Sequence, residues 1–383
     1  MENEKLNLKK VFICGGTGFL GFYSAKEFLR QGVQVGVLAL PNEITLGQSW
    51  WPQEIDVKFG NLFEMTKEEL KPIFEGYDAL VYAVGPDDRV HSPVGVTAYD
   101  FFHEKLVEKV IPVFEAAKEV GVQKAVLLNS YFAYFDRTYP EKELAKHHPY
   151  IRVRVEQAEA LIKVGDGGRA NGGMDVTVLE LPYIFGNMPE RTPLWKEVFL
   201  DRFANMPAVF FPKGGTNMIH VNGIAEAVVA AAYYGPHGAK LPIGNEDRKY
   251  KYMIDKMMED VGATKRYMGV PTWMATMGGK MVWKNVHKEG RDCGLDYRRL
   301  MKDIQSKDFF NAEDCAKSRE ILHYDEFGYN GGGTLDDGIK MTVIACYPHR
   351  FDENGNLKPE FKGVNPIKGE NATNNPVVNK QKK

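Results

Sequence analysis

Val11-Phe12-Ile13-Cys14-Gly15-Gly16-Thr17-Gly18-Phe19-Leu20-Gly21 decides how this chain is read. The first four residues make a short apolar run of buried-strand type, ended by Gly15-Gly16. Phe19 to Arg30 follows with a helical pattern and is closed by Gly32. The three spaced glycines have separate duties. Gly15 permits the tight turn off the strand, Gly18 lets backbone come close to a pyrophosphate, and Gly21 lets the helix pack tightly on the sheet. The free N–H groups and positive dipole end of that helix favour phosphate. A glycine triplet alone is a weak signal. Its place after a strand and before a helix implies a dinucleotide loop.

The alternation continues outward from the loop. Val33 to Leu40, Val57 to Phe59, Ala79 to Val84, Ala125 to Leu128 and Val176 to Leu179 are strand runs. Helical patterns lie between them, over Glu68 to Phe74, about Tyr99 to Val120 with Pro112 as a kink or junction, and Tyr150 to Lys163. Strands alternating with helices predict an α/β fold with a parallel sheet covered on both faces. After Pro182 the rhythm weakens, and helices recur at Ile224 to Tyr234 and Lys251 to Val261.

Composition narrows the function classes. The 383 residues carry 49 Lys plus Arg against 51 Asp plus Glu, a net charge of −2, which gives no basic footprint for nucleic acid. The four cysteines, Cys14, Cys293, Cys315 and Cys346, are far apart, so no zinc site, other metal site or disulfide framework is expected. Met1-Glu2-Asn3-Glu4-Lys5 lacks the apolar core of a signal peptide, and no run of about 18 apolar residues occurs. The expectation is a cytoplasmic protein with a small-molecule substrate and neither a nucleic-acid nor a membrane partner. The last 36 residues hold seven Asn and four Pro but only eight apolar residues, which predicts an extended or disordered tail.

A nicotinamide cofactor usually leaves a second mark at the end of strand two, an acid for the ribose of NAD or a base for the extra phosphate of NADP. Here that strand ends in Leu38-Ala39-Leu40-Pro41-Asn42, with Glu43 placed late and read as solvated, so NAD and NADP both stay open. A different signal follows strand five, which ends in Asn129-Ser130. Twenty residues on stands Tyr150, with Arg154 at i+4 on the same helix face. A cation beside a phenol favours the phenolate and predicts a lowered pKa. Such a tyrosine can exchange a proton with a carbonyl or alcohol oxygen while Ser130 holds the same oxygen. His147 and His148 just before it read as a solvated helix start.

Taken together, the chain resembles the extended short-chain dehydrogenase/reductases, the family of NAD-dependent epimerases, dehydratases and dihydroflavonol-type reductases. The likeness is carried by the glycine loop 15–21, Gly60-Asn61-Leu62, Tyr82-Ala83-Val84-Gly85, Asn129-Ser130 with Tyr134, the Tyr150/Arg154 pair, Leu181-Pro182-Tyr183-Ile184-Phe185-Gly186 and Ile219-His220-Val221-Asn222-Gly223-Ile224-Ala225. It covers about residues 9–345. The resemblance implies a doubly wound Rossmann domain over residues 1–185, rejoined by 219–240, a smaller α/β substrate lobe over 186–347, and the polar tail 348–383. It also implies a homodimer. Tyr150 would be the general acid/base, Ser130 the partner of the carbonyl oxygen, and Arg154 would stand where the family has lysine. Gly15, Thr17, Gly18, Phe19, Leu20 and Gly21 would hold the pyrophosphate, and Asn61 and Leu62 would approach the adenine. Ala83, Val84 and Gly85 would line the cofactor, Tyr150 and Arg154 would reach its ribose, and Pro182 and Ile184 would lie near the nicotinamide. Three positions depart from the family pattern: Arg154 replaces lysine, and Asn61 and Asn222 replace acids.

On the substrate side, Trp273, Met274, Met277, Met281 and Trp283 are spaced in part as a helix and read first as lobe core, second as an adaptable pocket wall. Phe185, Trp195, Phe199, Phe203, Phe210 and Phe211 add aromatic weight, which favours an apolar or aromatic carbonyl compound over a nucleotide-sugar. Arg191, Arg202 and Arg298 keep the sugar alternative open. Three readings follow: a carbonyl/alcohol oxidoreductase, an epimerase or dehydratase that holds NAD tightly, and a non-catalytic dinucleotide-binding protein.

Overall fold

The computed structural model describes residues 5–381. Six strands arise in the order the sequence pattern predicts: β1 (Lys10–Cys14), β2 (Gln34–Ala39), β3 (Asp56–Phe59), β4 (Ala79–Tyr82), β5 (Lys124–Ser130) and β6 (Asp175–Leu181). They pair in parallel as β3-β2-β1-β4-β5-β6. This is the doubly wound order of a Rossmann fold. Its inner strands read as unbroken apolar runs because both faces are covered. Val11 and Ile13 of β1 face one core layer, while Phe12 and Cys14 face the other, as the two-residue period of a strand requires.

The helices divide between the two faces. α1 (Phe19–Arg30) lies on the first, while α2 (Lys67–Phe74), α4 (Ile111–Glu119) and α7 (Pro149–Val164) lie on the second; α3 (Ala98–His103), α5 (Tyr131–Thr138) and the short α6 (Leu144–His147) cluster beside the sheet's carboxyl end. The long helical pattern from Tyr99 to Val120 is broken in two, with Pro112 in the first turn of α4, where its missing N–H costs nothing. Beyond β6 the chain enters the lobe through β7 (Tyr183–Phe185) and β8 (Val209–Pro212), and β9 (Gly215–His220) leads into α8 (Val221–Tyr234). α8 packs against α1, and β10 (Lys240–Pro242) adds a seventh parallel strand beside β6. The lobe then continues with β11 (Glu246–Lys249), α9 (Tyr250–Asp260), β12 (Tyr267–Val270), α10 (Thr272–Lys288), α11 (Tyr297–Leu300) and β13 (Asp308–Phe309). Its core gathers Phe185, Trp195, Phe199, Met253 and Met257.

Two expectations fail. Residues 348–375 of the stretch read as an extended or disordered tail pack onto the lobe. Arg350 is fully buried and its Nε and Nη2 donate to the Glu370 carboxylate at 2.6 and 2.8 Å, while Nη1 donates to the carbonyls of Val261 and Val364. Phe351 and Phe361 are buried beside it. The asparagine content that suggested disorder serves turns instead: the N–H groups of Asn354 and Asn356 both donate to Asp352 Oδ1. The second failure is the Trp/Met stripe of α10, which is not lobe core. Trp273, Met274, Met277 and Met281 are exposed, and the helix turns small residues inward instead. A Cβ on Gly279 would lie 2.1 Å from the Tyr297 carbonyl oxygen, so a close helix approach leaves the large side chains only the outer face.

Candidate active site

The sheet's carboxyl edge opens where the strand order reverses, between β1 and β4, the place where such sheets bind ligands. The turn after β1 is cut to glycine. Gly15 has φ +88°, and a Cβ there would sit 2.7 Å from the Ala83 carbonyl oxygen at the end of β4. A Cβ on Gly21 would lie 2.1 Å from the Gly15 carbonyl oxygen, so α1 rests directly on the turn. Gly18 caps α1 without any side-chain hydrogen bond, and no acid occupies the first turn. The first-turn N–H groups of α1 are therefore left for an external acceptor, a donor set that fits a dinucleotide pyrophosphate.

From there a cleft of about 1860 Å³ runs between the sheet and the lobe. A single small ligand usually needs about 300–1000 Å³, so two molecules side by side fit this space. Phe19, Leu20, Ala83, Val84, Gly85, Ser130, Tyr150, Arg154, Pro182 and Ile184 all line it. Gly15, Thr17, Gly18 and Gly21 are not part of this lining. Asn61 and Leu62 also lie off it: Leu62 is in the core, and Asn61 Oδ1 accepts the Phe63 N–H. Asn222 is exposed on α8, and its N–H donates to His220 Nδ1.

Tyr150 stands in the first turn of α7, where Pro149 starts the helix. Its N–H, which has no helical partner, donates to the Gly294 carbonyl at 2.8 Å. A Cβ on Gly294 would lie 2.5 Å from Phe102 and 3.1 Å from Tyr150 Cβ, so only glycine lets the lobe close on the tyrosine here. Phe102 meets the ring edge-on at 5.1 Å. The phenol makes no hydrogen bond to a described residue and is turned to the cleft.

Arg154 is buried one turn along. Its Nη2 donates to the Leu128 carbonyl at 2.8 Å and its Nε to Asn129 Oδ1 at 3.2 Å, which anchors the guanidinium at the end of β5. It lies 5.8 Å from the centre of the Tyr150 ring. Asn129 ties the corner together, since its Nδ2 donates to the Arg154 carbonyl and its Oδ1 also accepts the Ser130 N–H. Ser130 caps α5, where its Oγ accepts the Phe132 N–H at 3.3 Å, and its own O–H stays available as a donor.

The expected lowering of the Tyr150 pKa does not occur. Burial pushes the phenol up, Arg154 pulls it back, and Asp88 and Asp87 push further, so it is pushed up to about 12. These carboxylates belong to a group that sequence reading missed, Asp87-Asp88-Arg89 after β4. Arg89 covers the Trp195 indole at 5.1 Å, and its N–H donates to Asp87 Oδ1 at 2.8 Å. Burial raises the Asp88 carboxyl, and the Arg89 charge offsets part of that. The only sequence signal was two acids and a base in the loop after an otherwise apolar strand.

Other predicted positions fall elsewhere. His148 is not solvated: it is fully buried and its Nδ1 accepts the Asp296 N–H at 3.0 Å, which fixes the lobe to the start of α7. Glu43 is not free either. It accepts from Thr45 and from Arg191 Nη2 at 3.0 Å. Burial alone would raise its carboxyl, but the Thr45 and Arg191 bonds hold it below the usual range. Arg191 and Arg202 line the cleft, whereas Arg298 is paired with Asp296 and covers Trp283. Tyr134 donates to Asp314, away from the cleft lining. Phe132, Tyr183, Trp195, Phe210, Phe211 and Tyr250 give the cleft wall its aromatic character.

Known proteins share this fold. Residues 11–244 match the NAD dependent epimerase/dehydratase family. A curated relative from Mus musculus, sterol-4-alpha-carboxylate 3-dehydrogenase, decarboxylating, is 20% identical over 373 residues, covering 92% of this chain and 95% of its own. The crystal structure of gox2253 superposes with a TM-score of 0.68 at 19% identity, covering 91% of this chain and 100% of that one. The UDP-glucose-4-epimerase of Stenotrophomonas maltophila, solved with bound NAD, superposes with a TM-score of 0.61 at 15% identity, covering 89% of this chain and 98% of that one.

Proposed function

Since the chain belongs to the NAD dependent epimerase/dehydratase family, we propose that it is an oxidoreductase that uses NAD or NADP to interconvert a carbonyl and an alcohol on a small apolar or aromatic substrate. The observation that carries this reading is the Tyr150 phenol, without a hydrogen bond to any described residue, facing the cleft within reach of the Arg154 charge and beside the Ser130 corner. The dinucleotide, when bound, supplies or accepts the hydride. The loop 15–21 and the uncapped start of α1 hold its phosphates. Ser130 donates its O–H to the substrate oxygen and orients it. Tyr150 gives its proton to that oxygen during reduction and takes it back during oxidation. Arg154 favours the phenolate that forms, but it is never deprotonated, so the proton returns to Tyr150 by another route.

The aromatic wall supports an apolar or aromatic substrate over a nucleotide-sugar. Tyr150→Phe removes the proton and leaves the glycine loop intact. Turnover should fall by about 10²–10⁴-fold in that variant, followed as cofactor absorbance over a panel of ketones and aldehydes, with dinucleotide affinity unchanged. Full activity in Tyr150→Phe rejects the assignment. Release of stoichiometric NAD from the purified protein would favour the reading in which hydride is returned to the same substrate.

A further inference from the structure

The outer face of α10 has no partner among the described residues. Trp273, Met277 and Met281 follow one another at i, i+4 and i+8, and they are 64%, 58% and 69% exposed. Lys280, Lys284 and Lys288 form a second row at the same spacing, and all three are exposed. Residues three or four apart share a helix face, so Met277 neighbours Lys280 and Met281 neighbours Lys284. The helix Thr272–Lys288 contains no acid, and no ion pair joins these three lysines to a described residue. Met268 of β12 is a further exposed apolar residue at this edge, and it pairs with the exposed Phe210 of β8.

A row of large apolar side chains interleaved with lysines is the composition of a helix lying in a lipid headgroup layer. Tryptophan prefers that depth, and lysine stems reach along apolar surface to put their charge in water. The same face would suit a second copy of the chain badly. A two-fold contact through it would set one lysine row within the same patch as the other. Complementarity therefore favours a surface that is negative and apolar at once.

The patch is continuous with the mouth of the cleft. Met274 and Phe210 are exposed and also line the cleft, and Met274 stands one turn or less from Trp273 and Met277. We propose that the Trp273-Met277-Met281 row with Lys280, Lys284 and Lys288 docks this protein on an anionic lipid bilayer, with the cleft mouth turned toward the membrane. No helix among the described residues is long and apolar enough to cross a bilayer, and surface docking needs none. An apolar substrate dissolved in the lipid would then enter without passing through water. That second step rests on the proposed oxidoreductase reading, whereas docking itself does not.

Flotation of the full chain with vesicles of phosphatidylcholine, with and without phosphatidylserine, tests the docking without any measurement of turnover. Binding is expected to phosphatidylserine vesicles at low salt and to weaken as salt rises. Trp273→Ser with Met277→Ser and Met281→Ser, and separately Lys280→Glu with Lys284→Glu, should each weaken binding by about tenfold or more. Dinucleotide affinity and thermal melting report whether each variant is folded, and Trp273→Ser alone serves if the triple variant is not. Absence of flotation at low salt, or equal flotation by the folded variants, overturns the proposal. So does a concentration-dependent dimer that the serine substitutions abolish while no vesicle binds, which would give this face to a second copy.

Discussion

Tyr150 and Arg154 stand one helical turn apart, and burial decides what that proximity means. The sequence spacing placed the two on one face, and the fold keeps them there. Their electrostatics could not be read the same way, because the desolvation of the ring and the carboxylates of Asp88 and Asp87 come from elements far apart in the chain. Burial acts first and Arg154 second, so the phenol is protonated throughout the neutral range. The sign follows directly. As an acid in carbonyl reduction, Tyr150 would be in its active form at every pH well below about 12. As a base in alcohol oxidation, its active fraction grows about tenfold per pH unit over the same range. Profiles of kcat/KM in both directions should therefore be flat for reduction between about pH 6 and pH 9 and rising for oxidation. A reduction profile that falls through an apparent pKa of about 7 would remove Tyr150 from the role of acid.

The β1 turn and α1 form the element that needs least tertiary information. Its glycines were legible because each one answers a local backbone demand, and the close approach of Gly21 to the Gly15 carbonyl is that demand in atomic terms. Gly21→Ala would push a methyl group into backbone that cannot move without lifting α1 from the sheet. Dinucleotide affinity in this variant should drop by about tenfold or more, with about 1–3 kcal/mol lost in stability. Titration calorimetry and thermal melting read the two effects, and wild-type affinity would show that α1 does not hold the phosphates. α10 is the opposite case. Its spacing was legible as a helix, but not which side faces inward. The inward side is set by Gly279 against the Tyr297 carbonyl, a contact with another element. Apolar periodicity alone assigned the large residues to the core, and the close helix approach put them outside.

At the scale of the whole molecule, the lobe is completed by a segment that composition alone marks as disordered. Eight apolar residues in 36 are too few for an ordinary core, and Arg350 with Glu370 replaces what is lacking. Burial alone would raise the Glu370 carboxyl, but Arg350 holds it below the usual range. The pair thus stabilises the fold above the ordinary carboxylate range, and that contribution is lost as pH falls through the lowered value. Arg350→Met leaves the buried Glu370 carboxylate with only His349 and the Ile367 N–H, and should cost about 3–5 kcal/mol, seen as a lower Tm. Arg350→Met combined with Glu370→Met should recover most of the loss, and failure to recover would mean that the pair's other partners, the Val261 and Val364 carbonyls, His349 and the Ile367 N–H, outweigh the removed charges.

Among the contacts that join the two halves of the molecule is the pair of Glu43 with Arg191. Glu43 belongs to the turn leaving β2, and Arg191 to the first lobe segment beyond β7. Arg191 lines the cleft, and the pair ties this part of its wall to the turn that follows the second strand. On the proposed dinucleotide reading, a cofactor entering from this side would have to part that pair, and its residence time should then shorten as salt rises.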